Sequence, residues 1–159
     1  MTAFLDTSVL LAGLVDFGDQ SRPAHLILHA VEQKKLAAST AWHCCLEFYA
    51  VATRLPAEYR LTAPDACLLL REEVLARMSV ADLPADDRLT FLRTLEQDAT
   101  IGGRVYDSHI ADVARSAGAE VIVTDNRRHF LASLRHGIRV ETPQEFVGAM
   151  KRRGGRTPN

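Results

Sequence analysis

Four acidic residues stand where charge is not favoured. Asp6 follows the apolar run Ala3-Phe4-Leu5, precedes Thr7-Ser8-Val9-Leu10-Leu11, and is the only charged side chain among the first fifteen residues. Glu47 is the only formally charged residue between Lys35 and Arg54, inside Cys44-Cys45-Leu46-Glu47-Phe48-Tyr49-Ala50-Val51-Ala52. Asp107 shares a helical face with Ile110, Ala111 and Ala114, at offsets of three, four and seven. Asp125 ends the run Val121-Ile122-Val123-Thr124 and is followed by Asn126. Three of them have a plain structural explanation: Asp6 as the N-cap of a helix, Glu47 in a salt bridge to a distant arginine, Asp125 with Asn126 in turn and cap chemistry. Asp112 reads as a surface pair with Arg115. Taken together, though, several carboxylates gathered at one place repel one another unless a cation sits among them, and an all-oxygen set suits Mg²⁺ or Mn²⁺ rather than zinc.

The elements that must position these residues follow from the apolar pattern. Short strands are predicted over 3–5, 36–39, 80–83, 120–124 and 139–141. Helices are predicted over 7–15, 21–34, 41–55, 64–77, 86–98, 106–116 and 126–134. Gly118 closes the helix over 106–116, and Thr142-Pro143-Gln144-Glu145 forms a capping box that opens a final helix to about residue 150. Strands alternating with helices imply crossovers, a parallel sheet and helices on both faces, so the fold class is α/β. In such sheets ligands gather beyond the carboxyl ends of the strands, where Asp6 and Asp125 fall.

Composition narrows the function classes. The 159 residues suit one domain, and 47% hydrophobic with 25% charged residues excludes a disordered, collagenous or coiled-coil chain. No apolar run reaches the ~18 residues of a membrane span. No basic stretch precedes the short apolar one at the N-terminus, so neither signal peptide nor anchor is expected and a cytoplasmic location is. Three cysteines, Cys44, Cys45 and Cys67, make neither a disulfide framework nor a metal pair. His43, Cys44 and Cys45 read as helix packing, and Trp42 and Tyr49 as core. The net charge is −1, but Lys151, Arg152, Arg153 and Arg156 crowd the end of the chain, so residues 1–150 carry 15 basic against 20 acidic side chains. A body of that charge binds a polyanion only through a local patch or a bound cation.

These residues carry a resemblance. Phe4-Leu5-Asp6-Thr7-Ser8-Val9-Leu10, the helix bearing Glu47, Val105-Tyr106-Asp107-Ser108-His109-Ile110-Ala111, and Ile122-Val123-Thr124-Asp125-Asn126-Arg127-Arg128-His129-Phe130 together resemble the PIN-domain nucleases, specifically the VapC toxins of bacterial toxin–antitoxin pairs. The similarity covers about residues 2–147. It implies a compact three-layer PIN-like fold over 1–150, with a central parallel sheet of about five short strands flanked by helices, and a basic, disordered tail over 151–159. It further implies a Mg²⁺-dependent endoribonuclease, with Mn²⁺ as a substitute, that is homodimeric and held inactive by a VapB-type antitoxin. Asp6, Glu47 and Asp107 take the family's metal positions. The fourth position is shared between two residues, since the family pattern falls on Asn126 while the acid is Asp125. Thr7 or Ser8 would orient Asp6 or cap the first helix, with the cap assigned to Ser8. Arg104, Arg127, Arg128 and His129, with Arg135 further out, are the candidates for RNA backbone contacts.

Two other readings have sequence tests. A haloacid dehalogenase-type phosphatase also begins with a strand-end Asp, but normally places a second Asp two residues on and uses a downstream Lys; here that position is Ser8 and no Lys occurs between Lys35 and Lys151. A catalytically inactive PIN fold that only binds RNA or protein is opposed by the intact Asp6, Glu47 and Asp107.

Overall fold

The structure, a computed structural model, describes residues 1–154, with the side chains of 131–135 and 153–154 excluded. Its centre is β1 (Thr2–Leu5), a parallel neighbour of β2 (Ala37–Ala41) on one side and of β4 (Val121–Val123) on the other. β3 (Ser79–Ala81) and β5 (Arg139–Glu141) form the edges, giving the order β3-β2-β1-β4-β5. Central parallel strands are covered on both faces and so are apolar throughout. Ala3, Phe4, Leu5 and all of β4 are fully buried, whereas Val80 and Val140 on the edges are half-buried. Phe4 pairs with Ser39 and with Ile122, and this register brings the carboxyl ends of β1 and β4 level.

The helices are α1 (Thr7–Leu14), α2 (Arg22–Glu32), α3 (Trp42–Ala52), α4 (Ala63–Leu69), α5 (Arg88–Gln97), α6 (Arg104–Ser116) and α7 (Pro143–Gly154). α6 ends where Gly118 takes φ +70°, a conformation that side-chain-bearing residues adopt at a cost, so the expected stop at that glycine holds. The capping box at α7 is also present: the Glu145 amide donates to Thr142 Oγ1 at 3.3 Å and the Thr142 amide to Glu145 Oε2 at 2.9 Å.

Three expectations need correction. The helix expected over 64–77 is α-helical only to Leu69 and widens to a π-helical stretch over Leu70–Leu75, within which Val74 is fully buried. The helix expected over 126–134 is a 3₁₀ segment, Arg127–His136, kinked at Phe130, whose ring is anchored in the core. α7 runs four residues past the expected end, so residues 151–154 continue a helix; the remainder of the basic tail, 155–159, lies outside the described residues. No described helix is long and apolar enough to cross a membrane.

Candidate active site

The chain leaves β1 toward β2 on one side and returns to pair β4 on the other, so the strand order reverses between β1 and β4. Asp6 is held at this point: its amide donates to the Val123 carbonyl at 3.1 Å. It stands at the N-cap position of α1, yet its side chain makes no capping bond. Instead Asp6 Oδ2 accepts from Thr124 Oγ1 at 2.8 Å and from Ser8 Oγ at 3.1 Å. The simple capping explanation therefore fails for the side chain. Asp6 is 5% exposed, and burial pushes its carboxyl above the ordinary carboxylate range, with Glu47 adding to the rise and Thr124 and Ser8 opposing it.

The hydroxyl beside Asp6 serves a different acid. Thr7 Oγ1 donates to Glu47 Oε2 at 2.5 Å, across forty positions of sequence. So Thr7 orients Glu47, and Ser8, which was expected to cap the first helix, orients Asp6 while accepting the Asp125 amide at 3.1 Å. Although the stretch around Glu47 is apolar, the acid itself is not buried. Trp42, Leu46, Glu47 and Ala50 form the outer face of α3, and Glu47 is exposed. Arg54 donates to the Ala50 carbonyl rather than to Glu47, so the salt-bridge explanation also falls.

Asp107 is half-buried and lies on the inward face of α6 with Ile110, Ala111 and Ala114, as expected. Its carboxyl is pushed up by burial first and by Glu47 as well, against the pull of His129, Arg104 and His43. His129 Nδ1 stands 3.6 Å from Asp107 Oδ1. Glu47 is thus the acid that both Asp6 and Asp107 feel. Asp112 pairs with Arg115 at 3.8 Å as expected and also with His136 at 3.3 Å, but it is half-buried rather than on the open surface.

Asp125 and Asn126 are both exposed. The Asp125 carboxyl is pushed up by desolvation alone, with no contribution from another acid. The Asn126 amide donates to Thr124 Oγ1 at 3.0 Å. Both residues line an open cleft of about 1050 Å³ together with Arg104, Asp107, Ser108, Arg127, Arg128 and His129. Of the arginines, Arg127 also pairs with Glu145 at 2.9 Å. The Arg135 side chain lies outside the described residues.

One group of residues escaped the sequence reading. Trp42, expected in the core, is 45% exposed, and Tyr106 is 58% exposed. The Tyr106 ring stacks on His43 with centroids 5.2 Å apart and planes 13° from parallel. His43 therefore does more than pack its own helix. The available signal was an aromatic residue directly before Asp107. Cys44 and Cys45 are buried, with burial pushing their thiols up to about 12 and about 11, in keeping with the expected packing role.

The donor set fits a hard divalent cation. Among the described residues no Lys or Arg side chain comes within ion-pair distance of Asp6, Glu47 or Asp107, and the charge of Glu47 helps to raise the pKa of both Asp6 and Asp107. Oxygen donors in mutual repulsion are what a small divalent ion relieves. Among the described residues no three acidic, His or Cys side chains are already gathered tightly enough to ligate an ion.

Residues 2–128 match the family model of the PIN domain. Ribonuclease VapC27 of Mycobacterium tuberculosis (strain ATCC 25618 / H37Rv) is 33% identical over 123 residues, covering 77% of this chain and 84% of that protein. Ribonuclease VapC40 of the same species (strain CDC 1551 / Oshkosh) is 30% identical over 130 residues, covering 77% and 85%. Among solved structures, VapBC2 from Rickettsia felis, bound to a DNA fragment from its promoter, superposes with a TM-score of 0.60 at 20% identity, covering 89% of this chain and 98% of that one. The last supports the fold.

Proposed function

The chain belongs to the PIN domain family, and on that premise we propose that it is a metal-dependent endoribonuclease, the toxin of a toxin–antitoxin pair, with Mg²⁺ as its ion. The observation that carries this reading is the treatment of Asp6. A buried acid at the β1–β4 switch point, whose side chain accepts from two hydroxyls and makes no capping bond to the helix it precedes, is the group best placed to serve a ligand. Asp6, Glu47 and Asp107 are the groups that would hold the ion, directly or through water, with Asp125 or Asn126 joining from the rim. When bound, Mg²⁺ neutralises phosphate charge and lowers the pKa of a coordinated water, so that an anionic phosphodiester can be attacked.

The protein's own residues prepare for this. Thr124 and Ser8 fix the Asp6 carboxylate, and Thr7 fixes Glu47. Arg104, Arg127 and Arg128 line the cleft with Asp107 and supply positive charge for the RNA backbone. Proteins named ribonuclease at 33% and 30% identity favour RNA as substrate. A VapBC assembly among the structural neighbours, and apolar side chains left exposed on α4 and α5, Leu68, Leu89 and Leu92, favour a protein partner, read as a VapB-type antitoxin alongside self-association into a dimer.

Purified protein is expected to cut single-stranded RNA in Mg²⁺ or Mn²⁺ and to stop in EDTA, and Asp107→Asn is expected to abolish cutting while the fold is kept. Full activity in that variant, or cutting that persists in EDTA, would overturn the assignment. Expression of the wild type alone is expected to arrest bacterial growth, and a co-expressed cognate antitoxin to restore it; unimpeded growth with soluble protein present counts against the toxin role.

A further inference from the structure

We propose that Tyr106, backed by His43, is a stacking platform for one unpaired nucleobase of the RNA beside the cleaved phosphodiester, an inference that rests on the ribonuclease reading above. The platform is the outer end of a column of rings. Phe91 is buried, its ring 5.8 Å from His109 at 73°; His109 is 6.1 Å from His43 at 70°; and His43 lies nearly parallel to Tyr106. His109 is also braced by Asp82, 3.9 Å away. The column therefore runs from the core to the surface and holds the last ring firmly.

That last ring is only half used. His43 covers one face of Tyr106, the residue is 58% exposed, and among the described residues its hydroxyl has no protein partner. A base laid on the free face continues the stack without any side chain having to move.

The placement identifies the occupant. His43 and Glu47 are four residues apart on α3, about one helical turn or about 6 Å along the axis, and Tyr106 adjoins Asp107 on α6. Each half of the aromatic pair thus neighbours one of the acids assigned to the metal site. A ligand that brings its phosphate to those acids has its base within reach of the platform. Arg104, in the same first turn of α6, lines the open cleft together with Asp107 and supplies a cation for a neighbouring phosphate. Bases exposed to stacking are a property of single-stranded RNA, since a duplex keeps its bases on one another.

The test uses the full chain and a single-stranded RNA oligonucleotide carrying 2-aminopurine at successive positions. Ca²⁺ replaces Mg²⁺, to supply a cation of similar ligand preference. Binding is expected to quench 2-aminopurine fluorescence at one position. Tyr106→Ala is expected to abolish that quench and weaken binding about ten-fold, the size of one base–aromatic stack. Tyr106→Phe and Tyr106→Trp are expected to keep both, and an unchanged thermal midpoint in Tyr106→Ala shows that the exposed ring is not holding the fold. In Mg²⁺, Tyr106→Ala is expected to raise KM about ten-fold with kcat little changed. A quench that survives in Tyr106→Ala, or no quench at any position, overturns the platform. If the wild type quenches but cuts no RNA in Mg²⁺ or Mn²⁺, the hydrolytic reading falls and the platform stands. If it cuts RNA and Tyr106→Ala matches it in both binding and KM, the platform falls alone.

Discussion

Asp6 and Asp125 each lie at the carboxyl end of a buried strand, on adjacent strands of one sheet, yet they are built into the protein in opposite ways. Asp6 turns its carboxylate into the structure, where Thr124 and Ser8 donate to it; Asp125 is tied down by its backbone amide and leaves its carboxylate at the rim. Asp6 is electrostatically in touch with Glu47, and Asp125 with no other acid. The same hydroxyls serve both: Ser8 Oγ donates to the Asp6 side chain and accepts from the Asp125 amide. The lesson is that strand-end position alone does not define a functional acid. What defines it is whether the polar groups around it are spent on its side chain or on its backbone.

The comparison breaks most visibly in a Mg²⁺ titration of RNA cleavage. Asp6→Asn is expected to lose about a thousand-fold in kcat, as suits removal of a charged group from a site that must hold the ion. Asp125→Asn is expected to stay active and to raise the half-saturating Mg²⁺ concentration about three-fold. Equal losses in the two variants would erase the distinction. A shift in Asn126→Ala with none in Asp125→Asn would move the fourth position to the amide.

A smaller effect sharpens the role of the hydroxyls. Thr124 is fully buried and both donates to Asp6 and accepts the Asn126 amide, so Thr124→Val leaves two polar groups short of a partner. It is expected to cost about 1–3 kcal/mol in chemical denaturation, together with about ten-fold in activity. Thr7→Val removes the donor to the exposed Glu47 and a hydroxyl beside the weakly polar Cys44 thiol, and is expected to reduce activity about five-fold at limiting Mg²⁺ with a smaller stability loss than Thr124→Val. A stability loss in Thr7→Val as large as in Thr124→Val would show that Glu47 is part of the frame.

The smallest effect is on stability in EDTA. Asp107 sits above the ordinary carboxylate range in the folded state, so ionising it favours the unfolded chain. This penalty is absent below the unfolded pKa of about 4, grows as pH rises from there, and is complete once the pH passes the folded value. Asp107→Asn is therefore expected to melt about 2 °C higher than the wild type at pH 7. The difference is expected to vanish below about pH 4. Identical melting at both pH values would remove repulsion from the description of the site.

Much of this was readable from the chain. The five strands, the placement of Asp6, Asp107 and Asp125, the glycine stop after α6 and the capping box of α7 follow from local pattern and cap chemistry. Other features depend on partners far apart in sequence. That Thr7 serves Glu47 while Ser8 serves Asp6 is decided by where α3 packs against α1 and by the register of β1 on β4. The exposure of Trp42 could not be read from a helix apolar nearly all round, because periodicity then names no inner face. The stack of His43 on Tyr106 joins helices sixty residues apart and left only the aromatic before Asp107 as a trace.

The pairing of β1 with β4 also sets a timetable. The groups that fix Asp6, Val123 and Thr124, are made 117 and 118 residues after it. At 5–20 residues per second that interval is roughly 6–24 s. Throughout it the nascent chain carries Asp6, joined in turn by Glu47 and Asp107, without the strand that aligns it. The candidate site of a nuclease wired in this order takes shape only after Thr124 has been translated.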